Sequence, residues 1–188
     1  GSPGAYSHLA ALEVYPDAEI IPCKTFDECF SRAQKNKKLK IIIPESNKTT
    51  GNIGIEYLIF KYRLNIYAEH FHKVEHNLLG ISGAKITDIK NVLSHAQGLS
   101  QCSNYIKKNN LIENVRADTA GSAEFISKNQ KISEAAIASK LSAKIYKLDI
   151  IASNIENEKI NTTRFLIMGK TIVQPELEKK KIYYFFFI

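Results

Sequence analysis

The chain has 188 residues, with 26 Lys and Arg against 19 Asp and Glu, and so a formal net charge of +7. A hydrophobic share of 44% and a charged share of 24% sit near globular averages and exclude a disordered or fibrous chain. No apolar run approaches the roughly 18 residues of a membrane-spanning helix, and a chain this long buries roughly two thirds of its extended surface without a disulfide or metal staple. The basic excess leaves two readings, an anionic partner or plain surface charge.

In chain order, Ala5, Leu9 and Leu12 recur at helical spacing and predict a first helix that Pro16 stops. Residues 19–23 read as a short strand. Thr25 and Glu28 form a capping box, each side chain placed to satisfy the other's orphan backbone N–H. Phe26, Phe30 and Ala33 then give the following helix an apolar face. The β-branched run 39–43 suits a strand buried on both faces of a parallel sheet. A polar loop over 44–51 follows, then a helix around 53–61. Strands are predicted over 64–71, 74–79 and 91–94, the last feeding a helix that carries Leu99, Cys102 and Ile106. Asp118 or Thr119 caps a helix running to about Ser127. Residues 135–138 form a short strand, Ser139 caps a helix ending near Tyr146, and 163–168 is a final strand. This alternation predicts an α/β layer fold, as one domain or two small lobes.

Cys23, Cys29 and Cys102 make an odd count with no C-x-x-C pair, which points to a reducing compartment, taken as the cytoplasm, and to buried side chains rather than a zinc set. The chain opens on Gly1 rather than Met, and no signal peptide is visible. At the other end Lys179, Lys180 and Lys181 precede seven β-prone apolar residues, 182–188. Such a run aggregates when exposed unless charges guard it, and seven residues are too few for a membrane anchor. It reads as a buried edge strand or an abnormal chain ending.

Ligands in open α/β sheets bind beyond the carboxyl ends of strands, beside helix N-termini that favour anions. Four junctions rich in Gly, Ser, Thr and Asn fit that place: residues 1–7, 46–52, 94–97 and 118–122. His70, His72 and His76 share parity, so one straight strand would place them on one face. Zinc is conceivable there, but surface or cleft histidines are the favoured reading. Gly51-Asn52-Ile53-Gly54 lacks the Lys-Ser/Thr of a phosphate loop. Lys35, Lys37, Lys38 and Lys40 lack interleaved aromatics, so a solvated loop is favoured over a nucleic-acid patch. Within Asn161-Thr162-Thr163-Arg164-Phe165, alternation sets Thr163 and Phe165 on one face and Arg164 on the other. A charge at the mouth of an apolar strand needs a partner, an internal carboxylate or a ligand.

Taken in order, these residues resemble prephenate dehydratase over nearly all of residues 1–169. The glycine loop Gly1-Ser2-Pro3-Gly4-Ala5-Tyr6-Ser7-His8 is similar to the family's. Ser94-His95-Ala96-Gln97-Gly98-Leu99-Ser100-Gln101-Cys102 is similar to its Ser-His-Pro-Gln-Ala-Leu-x-Gln-Cys segment. Asp118-Thr119-Ala120-Gly121-Ser122-Ala123 and Ala135-Ala136-Ile137-Ala138-Ser139 match two further blocks, and Thr163-Arg164-Phe165 matches the signature Thr-Arg-Phe.

The resemblance implies an α/β fold of two lobes, periplasmic-binding-protein-like, with the active site in the interlobe cleft. Lobe 1 would take residues 1–73 and 156–170, lobe 2 residues 74–155, and 171–188 would be a linker and atypical tail. The implied reaction is loss of carbon dioxide and the ring hydroxyl from prephenate, giving phenylpyruvate, with no metal or organic cofactor. Thr163 would give a proton or hydrogen bond to the leaving oxygen. Arg164, Asn161, Phe165, Asn47, Gln97, Tyr6, Ser7 and the N–H groups of Thr119 and Ala120 would bind substrate or order the cleft. Neither nucleic acid nor membrane is an implied partner, and a homodimer is left open.

Three departures from the family stand out. Ser46-Asn47-Lys48 stands where the family has Glu-Asn-Ser, so Asn47 keeps its place between changed neighbours. The family has a strand before the glycine loop, and a C-terminal phenylalanine-binding ACT domain after the region matched here. Two other readings therefore stand beside the first: an inactive or truncated remnant that binds a carboxylate, and dehydration of arogenate.

Overall fold

Local signals set most helices where expected, but the one helix expected to carry Leu99, Cys102 and Ile106 is broken at Cys102 into two. Thr25 Oγ1 accepts the Glu28 N–H at 3.1 Å and opens α2 (Phe26–Lys35), while Glu28 reaches back to the Lys24 N–H rather than to that of Thr25. Asp118 caps α6 (Thr119–Asn129) and Ser139 caps α7 (Lys140–Tyr146) through their side-chain oxygens. The remaining helices are α1 (Tyr6–Val14), α3 (Glu56–Tyr62), α4 (Ala96–Gln101) and α5 (Ser103–Lys108).

The computed structural model describes residues 1–171, and the predicted tail, including the lysines at 179–181 and the apolar run 182–188, lies outside the described residues. Its strands form two sheets. The first takes β1 (Lys40–Asn47), β2 (Gly51–Asn52), β3 (Asn65–Lys73) and, from the far end of the chain, β9 (Thr162–Gly169), in the order β2-β1-β9-β3. The second takes β4 (Asn77–Gly80), β5 (Asn91–Ser94), β6 (Ile112–Val115), β7 (Glu134–Ala138) and β8 (Asp149–Ala152), in the order β6-β5-β7-β4-β8.

Alternation along each strand splits every sheet's apolar residues between two helical layers. In the second sheet Leu78, Val92, Ala135 and Ile137 pack with Leu99, Cys102 and Ile106 of the α4–α5 side. Their neighbours Leu79, Leu93, Ala136 and Ala138 pack with Ala123, Ile126 and Ala143 of α6 and α7. Burial on both faces explains the unbroken apolar run in β7. In the first sheet Ile41, Ile43, Leu166 and Met168 meet Phe30, Ala33 and Leu58 of α2 and α3. The opposite face, which carries Phe165, receives α1.

Several expectations need correction. The 39–43 run lies in β1 but pairs antiparallel with β9, Ile42 opposite Ile167, not in a parallel sheet. β1 runs on to Asn47, so the loop expected over 44–51 is largely strand. Residues 19–23 form no strand; together with the edge of β1 they line a cavity of about 360 Å³. β6 and β8 carry no such signal in the sequence: β6 is exposed along its length and β8 exposed over its first half and half-buried over its second, so neither shows the alternation of a half-buried strand.

Candidate active site

Register brings Asn47, Thr163 and His72 side by side across β1, β9 and β3, on one face of the first sheet. Thr163 is buried to 8% exposure. Asn47 Nδ2 donates to Thr163 Oγ1 and to Asn161 Oδ1, both at 2.8 Å. Asn47 Oδ1 accepts from the backbone N–H of Thr49 at 2.9 Å and from its hydroxyl at 2.6 Å.

The second lobe completes the network through α4. Gln101 Nε2 donates to Thr49 Oγ1 at 2.6 Å, and Gln101 Oε1 accepts from Asn161 Nδ2 at 3.0 Å and from His76 Nε2 at 2.7 Å. His76 Nδ1 lies 2.8 Å from the Tyr6 hydroxyl. Each amide oxygen here meets donors alone, so one proton arrangement satisfies the chain from Tyr6 through His76, Gln101, Asn161 and Asn47 to Thr163. An amide oxygen cannot donate, so His76 Nε2 carries the hydrogen and Nδ1 accepts from Tyr6.

Burial holds the His76 imidazole below its ordinary range against weaker opposing effects of Gln101 and Glu156, and burial raises the Tyr6 phenol well above its own. Both are therefore neutral at pH 7. The sign for stability follows: below about pH 6.5 the unfolded histidine takes a proton that the folded one resists, so stability falls as pH falls. His76→Gln is expected to flatten the slope of unfolding free energy between pH 7 and 5, leaving the contribution of His8, also lowered by burial. Urea denaturation at stepped pH reads the slope, and an unchanged one would show that His76 is not buried neutral.

The N-terminal loop seats lobe 1 on lobe 2. Gly4 O accepts from Ser139 Oγ at 2.6 Å and Ser142 Oγ at 3.0 Å, and Ser2 Oγ donates to Asp118 Oδ2 at 3.3 Å. Gly4 has φ +90°, and a Cβ there would stand 2.9 Å from Ser142 Cα, so both the backbone and the space demand glycine. Gly4→Ala is expected to destabilise the fold by about 1–3 kcal/mol, read as a lower urea midpoint.

Of the residues singled out from sequence, Thr163, Asn161, Asn47 and Tyr6 come together in this network. Thr119 and Ala120 open α6, where Asp118 occupies the Gly121 N–H at 2.6 Å. Gln97 is exposed near the start of α4, and Ser7 is half-buried in the first turn of α1. Arg164 and Phe165 lie elsewhere. Arg164 projects to the opposite face, where Nε meets Glu69 at 2.7 Å and Nη1 meets Glu45 at 3.3 Å. These carboxylates of the chain itself are its charged partners in this structure. Phe165 is 1% exposed beneath α1. Sequence reasoning passed over Gln101, His76 and Thr49 as members of the network; the signal for Gln101 lay in the 94–102 block, where Gln97 is the more obvious glutamine beside a helix start.

Two α/β lobes, tied together by polar side chains around one hydroxyl, define a cleft protein of the periplasmic-binding-protein-like class. A family model described as prephenate dehydratase matches residues 1–172, and the chain belongs to that family. Arogenate dehydratase/prephenate dehydratase 1, chloroplastic, of Arabidopsis thaliana is 42% identical over 182 residues, 95% of this chain and 46% of that protein. The chain thus spans about half the length of the curated relatives it matches. A solved structure described as GqqA, a novel type of quorum-quenching acylase, superposes with a TM-score of 0.85 at 32% identity, over 93% of this chain and 63% of that one. Prephenate dehydratase from Arthrobacter aurescens, in complex with L-Phe, gives a TM-score of 0.85 at 23% identity, over 94% of this chain and 60% of that one, a likeness of fold.

Proposed function

We propose that this chain catalyses the decarboxylating dehydration of prephenate to phenylpyruvate, within two lobes spanning residues 1–73 with 156–170 and 74–155. The observation that carries the reading is the state of Thr163. Its oxygen accepts the Asn47 N–H, while its own hydrogen has no acceptor among the described residues. That proton is left to point at a substrate oxygen in the cleft.

The reaction needs little more. As the C–C bond to the ring carboxylate breaks, its electron pair enters the ring and expels the hydroxyl at the opposite carbon. Carbon dioxide leaves, and the departing hydroxide takes one proton to become water. Aromatisation drives the step, so the protein has to hold two carboxylates and protonate one oxygen. A threonine hydroxyl is a weak acid, and the Asn47 N–H on its oxygen helps by stabilising charge that develops there. The N–H groups of Thr119 and Ala120, with Gln97 and Ser7, are proposed to hold the carboxylates near the starts of α6, α4 and α1.

Arogenate is the second reading, favoured by the Arabidopsis relative, whose name carries both activities. Parallel assays decide between them: phenylpyruvate released from prephenate, and phenylalanine released from arogenate, compared as kcat/KM. Calorimetric binding of either without turnover would instead identify a carboxylate-binding remnant. Among the described residues no helix is long and apolar enough to cross a membrane. The three free thiols support a reducing compartment, in the cytoplasm or in a chloroplast as in the Arabidopsis relative's name.

A further inference from the structure

We propose that Glu13, His70 and His72 form a divalent-metal site of zinc type, separate from the Thr163 network. The sequence placed three histidines at one parity, but the structure divides them. His76 turns to Gln101, whereas His70 and His72, two residues apart on β3, face α1 together and meet Glu13 near its end. His70 Nε2 stands 2.7 Å and His72 Nδ1 3.0 Å from Glu13 Oε2, and all three donor atoms lie within 4.8 Å of one another.

Geometry and donor chemistry agree. Zinc–nitrogen and zinc–oxygen bonds of about 2.0–2.2 Å in a tetrahedron separate neighbouring donors by about 3.3 Å, so the Glu13–His70 and Glu13–His72 pairs need open by only a few tenths of an ångström. Two imidazoles and one carboxylate leave the fourth position for water. The burial is graded: the His72 side chain is 9% exposed, that of His70 26% and that of Glu13 45%, so a cation enters from the Glu13 side. His72 Nε2 is buried without a partner among the described residues. Glu13 alone therefore sets that ring's tautomer, and the Nδ1 hydrogen can shift to Nε2 when a cation takes the Nδ1 lone pair. Glu13 accepts a hydrogen bond from each imidazole, so its carboxylate oxygen already stands where both rings point. Such a site would pin α1, which carries Tyr6, to the strand lying beside Thr163.

Chelator-stripped protein titrated with zinc chloride in a calorimeter tests this, with cobalt absorption as a second readout. One equivalent should bind, raise Tm and give a cobalt spectrum without thiolate charge-transfer bands. The His70→Ala/His72→Ala variant should take up none. Glu13→Gln keeps an oxygen to accept both imidazole N–H groups, so its fold is safeguarded. It should lose more affinity than the ~10–100-fold typical of an outer-shell change. A Cys23→Ala/Cys29→Ala variant should bind as the parent does; burial and the neighbouring Cys23 push the Cys29 thiol up to about 12, leaving it a protonated, poor ligand. No saturable uptake by the parent, unchanged affinity in Glu13→Gln, or loss of uptake in the cysteine variant would overturn the proposal.

Discussion

Thr163→Val is expected to lower kcat for phenylpyruvate formation by ~10²–10⁴-fold, the usual contribution of a well-placed general acid. At 1.36 kcal/mol per decade that is about 3–5 kcal/mol of barrier. Valine matches threonine in shape, so β9 keeps its packing, but the substitution removes both the proton and the oxygen that accepts from Asn47. The stranded Asn47 N–H costs about 1–3 kcal/mol of stability, small enough that the variant remains folded and assayable. Thr163→Ser restores the hydroxyl and should recover most of the rate. Equal kcat in Thr163→Val and parent would remove Thr163 from the chemistry and leave the network a structural one.

The second large effect is on stability. Phe165→Ala should cost about 3–5 kcal/mol, because the ring is buried beneath α1 and its removal leaves a cavity that the strand cannot close. Against a typical net stability of roughly 5–15 kcal/mol, one residue carries a large share. Urea unfolding followed by circular dichroism measures it, with Phe165→Leu as the milder comparison. Turnover per folded molecule should change far less than in Thr163→Val, since Phe165 acts by fixing the strand that carries its neighbour. Wild-type stability with lost activity would instead place the ring against the substrate.

Both expectations turn on alternation along a single strand, which is legible in the amino-acid sequence itself. Alternation places Thr163 and Phe165 on one face and Arg164 on the other, and register confirms it. What Arg164 meets is not legible there, since Glu45 and Glu69 lie 119 and 95 residues away in sequence and reach it only through strand pairing. The histidines show the same limit. Their shared parity is visible, but β3 ends at Lys73, which frees His76 to face Gln101 while the other two face Glu13. No spacing rule could bring in Glu13, which comes from a different helix.

The division follows the range of the forces involved. The sequence alone determined the capped helices at Thr25 and Ser139, a third cap at Asp118 or Thr119, the apolar strands, and the blocks that mark the family, because caps and periodicity are satisfied within a few residues. It could not determine the direction in which β1 pairs, the loss of a ladder for residues 19–23, or the amide chain through Gln101 that joins the two lobes. Those depend on backbone hydrogen bonds and close contacts between segments far apart in the chain. Periodicity specifies which face a side chain occupies, whereas only the folded sheet decides what stands opposite it.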